Sequence, residues 1–319
     1  MRRILAALLA AAFTGLAAAQ TYPARPIRLI VPYPPGALTD LLARSVGERL
    51  SASVRQPVVV ENKPGAGTLV GAEFVAKAAP DGHTLLMATS TTLGISPAMY
   101  KNPAVDPVKD FAPISRLGTV TFFLIGNPAF PARDLRQMID AIKVSPGKYN
   151  YASVGNGSAH HLFMELLKKE FALEIQHVPY KGTLAALTDV LSGKVELMFC
   201  DATAALPNIK AGKVLAYGTS AAKQTSLLAS VPPIGNAVAG YDWQAWQGIV
   251  APAGTPREAI AKLGATLQQI QSTDEFRELL TRFGMDAVPA HTPDDFAALV
   301  KSDMERWAKA VAASGARVD

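Results

Sequence analysis

Three glycine-bearing turns carry the residue types most suited to holding a ligand. They are Tyr33-Pro34-Pro35-Gly36-Ala37-Leu38-Thr39-Asp40, Gly65-Ala66-Gly67-Thr68 and Ser153-Val154-Gly155-Asn156-Gly157-Ser158. Each stands between an apolar run that reads as a strand and a periodic segment that reads as a helix. The free N–H groups of a helix's first turn attract anions, and glycine lets backbone approach them closely. From Tyr33 to Thr39 and from Ser153 to Ala159 there is no Lys or Arg. An anion held there relies on amides, hydroxyls and water, which suits reversible capture of a carboxylate. For any one turn the plain alternative is that glycines merely end a strand and start a helix; three turns converging from two lobes favour a ligand site.

Other constellations carry less. Gly65, Gly67 and Gly71 are spaced GxGxxxG rather than the dinucleotide GxGxxG, and they sit in the second strand–helix unit rather than the first. His160 and His161 beside Ser158 invite a metal site or a hydrolase. Adjacent helical positions point about 100° apart, however, so the imidazoles do not converge on one metal, and no GxSxG elbow is present. Ser158 reads as a helix cap, His83 as part of a turn and His177 as a strand end. Asp40 and Asp201 could be paired carboxylates, but helix capping and a strand-end turn explain them as well. Trp243 and Trp246 read as packing at a hinge.

The elements that position these turns follow a strand, loop, helix grammar. Ile27 to Tyr33 is an apolar strand broken by Pro34-Pro35-Gly36, and a helix then carries Leu41, Leu42, Val46 and Leu50 inward. Val58 to Val60 is a second strand. Thr84 to Ala88 is a third, ending in the hydroxyl-rich Thr89-Ser90-Thr91-Thr92. The grammar restarts after Asn127-Pro128, with strands at Tyr149 to Ala152, Ile175 to Val178 and Val195 to Cys200, and helices at Ser158 to Phe171 and Thr183 to Leu191. Trp243 to Ala251 reads as a strand returning to the first lobe, and two amphipathic helices near Pro256 to Gln271 and Thr292 to Ala313 finish the chain. The expected architecture is α/β with two lobes, each a mostly parallel sheet flanked by helices. Residues 20–125 with 245–319 form lobe 1 and residues 126–244 form lobe 2. Crossovers near Leu124 to Asn127 and Trp243 to Gly248 form the hinge.

Arg2-Arg3, the uncharged run from Ile4 to Leu16 and Ala17-Ala18-Ala19 have the form of a cleavable signal peptide over residues 1–19, cut between Ala19 and Gln20. The apolar run is short of the roughly 20 residues that span a bilayer. Export with a single cysteine, Cys200, excludes an internal disulfide and leaves stability to an apolar core. Without Arg2 and Arg3 the 31 basic residues become 29 against 26 acidic ones, a formal charge of +3. No Lys/Arg cluster interrupts the chain, which argues against a nucleic-acid partner. No residue pattern calls for a cofactor or a metal.

Five motifs in order resemble the receptors of tripartite tricarboxylate transporters, the Bug/TctC family. They are Pro32-Tyr33-Pro34-Pro35-Gly36 with Asp40 and Ala43-Arg44; Asn62-Lys63-Pro64-Gly65-Ala66-Gly67; Tyr151 to Ser158 with His161-Leu162; Val178-Pro179-Tyr180-Lys181-Gly182; and Ala251 to Pro256. The resemblance covers essentially the whole mature chain. It implies a monomeric, non-catalytic periplasmic receptor of the type II binding-protein fold. Such a receptor closes on a di- or tricarboxylate or an aromatic acid and delivers it to a membrane complex of one large and one small subunit. Carried onto this sequence it nominates Tyr33, Gly36, Ala37, Leu38, Thr39 and Asp40, with Ser90 and Thr91, on one side. Ser153, Gly155, Asn156, Gly157 and Ser158 face them, with Lys181, Gly182 and Asp201 nearby. Two departures stand out: Ala37 and Thr68 occupy positions where the family usually has glycine, and because Ala37 tolerates positive φ poorly the first loop is expected to differ in shape there. Two other readings remain open at this point, a secreted α/β hydrolase and a receptor that presents its ligand to a sensor protein.

Overall fold

The computed structural model describes residues 22–225 and 227–318. The expected signal peptide and its cleavage point lie outside the described residues. One sheet holds β1 (Ile27–Val31), β2 (Val58–Asn62), β3 (Thr84–Thr89) and β4 (Phe111–Val120) together with β10 (Ala245–Pro252) and β11 (Met285–Asp286), in the order β11-β4-β10-β3-β1-β2. The other holds β5 (Phe122–Gly126), β6 (Asn150–Ser153), β7 (Gln176–Pro179), β8 (Leu197–Asp201) and β9 (Leu215–Thr219), in the order β7-β6-β8-β5-β9. The helices around the first sheet are α1 (Leu38–Val54), α2 (Leu69–Ala76) and the short α3 (Ser96–Met99). Those around the second are α4 (Leu135–Val144), α5 (Ala159–Phe171), α6 (Thr183–Leu191) and α7 (Ala202–Lys210). The chain finishes through α8 (Arg257–Gln271), α9 (Asp274–Arg282) and α10 (Pro293–Ser314).

The two-lobed α/β plan is as expected, and both sheets are mixed. Strands β1, β2 and β3 pair parallel, as do β6, β7 and β8, and these are the units built from strand–helix–strand repeats. The strands that pass between lobes run the other way: β10 lies antiparallel to β3 and β4, and β5 antiparallel to β8 and β9. A strand arriving directly from the opposite lobe needs no helical crossover, so nothing constrains it to run parallel. Because β10 is paired on both edges and covered on both faces, all eight of its residues are buried.

The sequence reading misplaces the first crossing. The chain leaves the first sheet at Thr121, a single residue between β4 and β5, and returns between Thr219 and Ala245. Phe122, Phe123, Leu124 and Ile125 are buried as second-sheet residues. They continue the apolar run of β4 with no turn residue between, so the pattern carries no mark of the change of sheet. Strand β4 and helix α9 are further elements absent from that reading; Pro113 and Gly118 obscure the former.

Candidate functional site

The turn from Tyr33 to Ala37 ends β1 and feeds α1. Asp40, in the first helical turn, fastens it. Gly36 N–H donates to Asp40 Oδ2 at 2.9 Å, Asn62 Nδ2 to Oδ1 at 2.8 Å, and Arg44 Nε to Oδ2 at 3.1 Å. Burial works to raise the Asp40 carboxyl, but these three donors and the Arg44 charge bring it below the usual carboxylate range. Both its oxygens are engaged within its own lobe, so Asp40 shapes the loop instead of offering a contact. Leu38 likewise turns its side chain into the core, and Ser90 is spent on the Trp246 N–H, 2.9 Å away. Ala37 sits at φ −74°, an ordinary extended value, so its place in the loop is unstrained. Thr68 adopts φ +84°, the left-handed region that glycine favours, so the threonine is strained into a glycine-like turn there.

The turn from Ser153 to Ser158 ends β6 and feeds α5. Ser158 caps that helix: its Oγ accepts from His161 N–H at 3.3 Å and donates to the Gly155 carbonyl at 2.7 Å. Ser153 Oγ accepts from Gly155 N–H at 3.1 Å. Gly155 and Gly157 both hold positive φ, 116° and 78°, which folds the loop back so that the first N–H groups of α5 open toward the first lobe.

The two turns meet the opposite lobe along one seam. Ala159 N–H, the first of α5, donates to Thr91 Oγ1 of the first lobe at 3.3 Å, and Ser96 Oγ lies 3.0 Å from the Gly157 carbonyl and 2.5 Å from that of Gly67. A β-carbon at Gly67 would stand 2.9 Å from the Asn156 carbonyl, one at Gly182 would stand 3.2 Å from the Pro34 ring, and one at Gly36 would stand 3.7 Å from Leu184. The arrangement is therefore a closed one. Tyr33 hydrogen-bonds to Thr89 at 3.2 Å and faces Asp201 of the second lobe. Burial pushes both the Tyr33 phenol and the Asp201 carboxyl upward, with Thr183 and Thr203 hydroxyls beside the latter. Asp201 also caps α7 by accepting from Ala204 N–H at 3.2 Å. A carboxyl held toward its protonated form repels an incoming anion less and can donate to it.

The seam thus brings together Tyr33, Gly36, Thr91, Asn156, Gly157, Gly182 and Asp201 from the expected set, with Gly155 and Ser158 in the turn that carries Asn156 and Gly157. Thr39 is held within its own lobe, where Gln247 Nε2 donates to its Oγ1 at 3.1 Å. Lys181 is exposed and forms no ion pair among the described residues. Sequence reasoning missed Ser96, Tyr100, whose ring would stand 3.0 Å from a β-carbon at Gly157, and Gln247, which holds Thr39. A glutamine inside the apolar run Ala245 to Val250 is a legible signal: it is buried, and its Oε1 has no partner among the described residues. Ser96 and Tyr100 carry no such mark. Gly71, part of the dinucleotide-like spacing, is a packing residue, since a β-carbon there would stand 2.9 Å from Pro32. His160 and His161 point apart, to Phe122 and to His177, and no cluster of metal-binding side chains occurs among the described residues.

Comparison with known proteins covers nearly the whole chain. Among curated relatives, a Pseudomonas sp. (strain P51) protein named for the tcbD-tcbE intergenic region is 35% identical over 97% of this chain and 93% of its own. Among solved structures, an R. palustris protein with adipate has a TM-score of 0.88 at 30% identity, covering 93% of this chain and all of that one. MatC from Rhodopseudomonas palustris with bound malate has a TM-score of 0.86 at 32% identity over 91% of this chain and 100% of that one. The model of the "tripartite tricarboxylate transporter family receptor" matches residues 42–316. A family model over residues 42–316 and relatives at this identity and coverage agree, and this chain belongs to the tripartite tricarboxylate transporter receptor family.

Proposed function

We propose that this chain is a monomeric extracytoplasmic solute receptor that closes two lobes over a small organic carboxylate and delivers it to a tripartite membrane transporter of one large and one small subunit. Residues 22–120 with 245–318 move as one body and residues 122–244 as the other. The observation that carries the reading is the first N–H of α5 engaged across the seam by the Thr91 hydroxyl. A carboxylate oxygen fits the same donor and gains from the helix dipole and its own charge. The ligands named with the R. palustris structures, adipate and malate, are both dicarboxylates, and a dicarboxylate offers one charged end to each lobe. The form of residues 1–19 supports export to the periplasm.

A hydrolase reading loses its footing at Ser158, whose Oγ donates its proton to the Gly155 carbonyl and accepts the His161 N–H. Among the described residues its Oγ has no hydrogen bond to a histidine ring or a carboxylate. The test is a thermal-shift and calorimetry panel of mono-, di- and tricarboxylates and aromatic acids. At a concentration near 100 times Kd, a true ligand raises the melting temperature by roughly 5 °C and is recovered unchanged. A panel without a single shift sinks the receptor reading; turnover of any member sinks the non-catalytic one.

A further inference from the structure

Beneath the Ser153 to Ser158 turn lies a stack of three rings. His161, on α5, and His177, on β7, are parallel within 6° with centroids 4.1 Å apart, and Tyr151, on β6, continues the stack 4.9 Å from His177. Each imidazole reaches one side of the turn. His161 Nδ1 accepts from Gly157 N–H at 3.4 Å. His177 Nε2 lies 2.6 Å from Ser153 Oγ, the atom that also accepts from Gly155 N–H. Both glycine amides that shape the turn are therefore held, directly or through one hydroxyl, by stacked histidines.

We propose that His161 and His177 are positioning residues for the binding loop, keeping Ser153 to Ser158 in its anion-accepting shape only while His161 Nδ1 is free of a proton. This rests on the receptor reading of the same loop. An Nδ1 that accepts leaves the single proton of the neutral ring on Nε2; a protonated ring has no acceptor to offer Gly157. The charged groups facing the pair are Glu165 and Lys168, both on α5. They compensate each other, with Lys168 Nζ 2.7 Å from Glu165 Oε1, and Tyr151 donates to the same Glu165 oxygen at 2.5 Å. The strands β6 and β7 bring Tyr151, Ser153 and His177 itself. Burial holds both imidazoles below their ordinary range, His177 to about 3, with the His161 ring and Lys168 acting in the same direction. The neutral pair is thus the resting form, and strong acid releases the loop.

The experiment is amide exchange at Gly155 and Gly157 of the full chain by NMR, without ligand, alongside calorimetry with malate. In His161→Phe the Gly157 amide exchanges at least roughly tenfold faster while the Leu162 amide, inside α5, keeps its protection. His161→Asn, whose Oδ1 replaces Nδ1, restores protection and makes it independent of pH. His177→Phe loosens Gly155 and His177→Gln restores it. Where malate binds, the two Phe variants weaken it by roughly five- to tenfold and the amide variants do not. Unchanged exchange at both glycines in the Phe variants overturns the proposal, as does an imidazole of the pair titrating near the ordinary histidine value. Because exchange needs no ligand, failure of malate to bind wild type counts against malate as the ligand and leaves the exchange result to decide here.

Discussion

Gly67 shows how much a single missing side chain decides. It holds φ +58°, and a β-carbon there would lie 2.8 Å from Ser96 Oγ and 2.9 Å from the Asn156 carbonyl of the other lobe. Only the Asn156 contact depends on the lobes being together, since Ser96 belongs to Gly67's own lobe. Gly67→Ala is therefore expected to strain the closed form by more than the roughly 1 kcal/mol that left-handed backbone costs an alanine. Calorimetry should show carboxylate affinity falling by about tenfold or more while unliganded melting changes by a few degrees at most. Equal losses in both would mean that Gly67 serves the fold alone. Gly36 contrasts with it: its nearest foreign atom is 3.7 Å from a β-carbon position, so space is not what constrains it.

At the scale of elements, α10 ties the two crossing regions together. Its Asp303 Oδ2 accepts from Trp246 Nε1 of β10 at 2.6 Å and from Trp307 Nε1 at 2.8 Å, and Trp307 stacks on Phe163 of α5 with centroids 6.0 Å apart. Trp243 packs on Trp307 at 5.2 Å, with the Arg306 guanidinium over it. The tryptophans are hinge packing, as their sequence context suggests. Removing the shared acceptor leaves two buried indole N–H groups without a partner, so Asp303→Ala is expected to cost about 2–4 kcal/mol of stability. Asp303→Asn, whose oxygen can accept both, should cost less than half of that. Denaturant unfolding of the two variants checks the order; an Asn variant as unstable as the Ala variant would assign the stabilisation to charge instead.

The whole molecule carries buried imidazoles that tie stability to pH. His160 lies edge-on to Phe122, 5.0 Å away, beside the first crossing, and neither of its ring nitrogens has a partner among the described residues. Burial holds it down to about 3. The unfolded chain takes up a proton near the ordinary histidine value of roughly 6.5 while the folded one does not, so this group withdraws stability as pH falls below that point. His160→Phe keeps the shape and removes the proton site. Between pH 7.5 and pH 5 the stability difference should move in favour of the variant by about 2 kcal/mol. Parallel curves across that range would show His160 to be charged or solvated in the folded state.

The glycine turns and the apolar faces are local properties of residue type and spacing, and for that reason the two-lobed α/β plan and the turns at Tyr33 to Asp40 and Ser153 to Ser158 could be read before any coordinates. Ser158 as a cap and the separate directions of His160 and His161 follow from helix geometry alone. Sheet membership does not. Phe122 to Ile125 would be equally well buried in either lobe, and only pairing with β8 and β9 assigns it. Nor could spacing show that Asp40, Ser90 and Thr39 are engaged within their own lobe, while Ser96 and Tyr100 reach the seam. Those roles depend on which distant segment supplies the partner for each polar atom, and that is set when the whole chain packs.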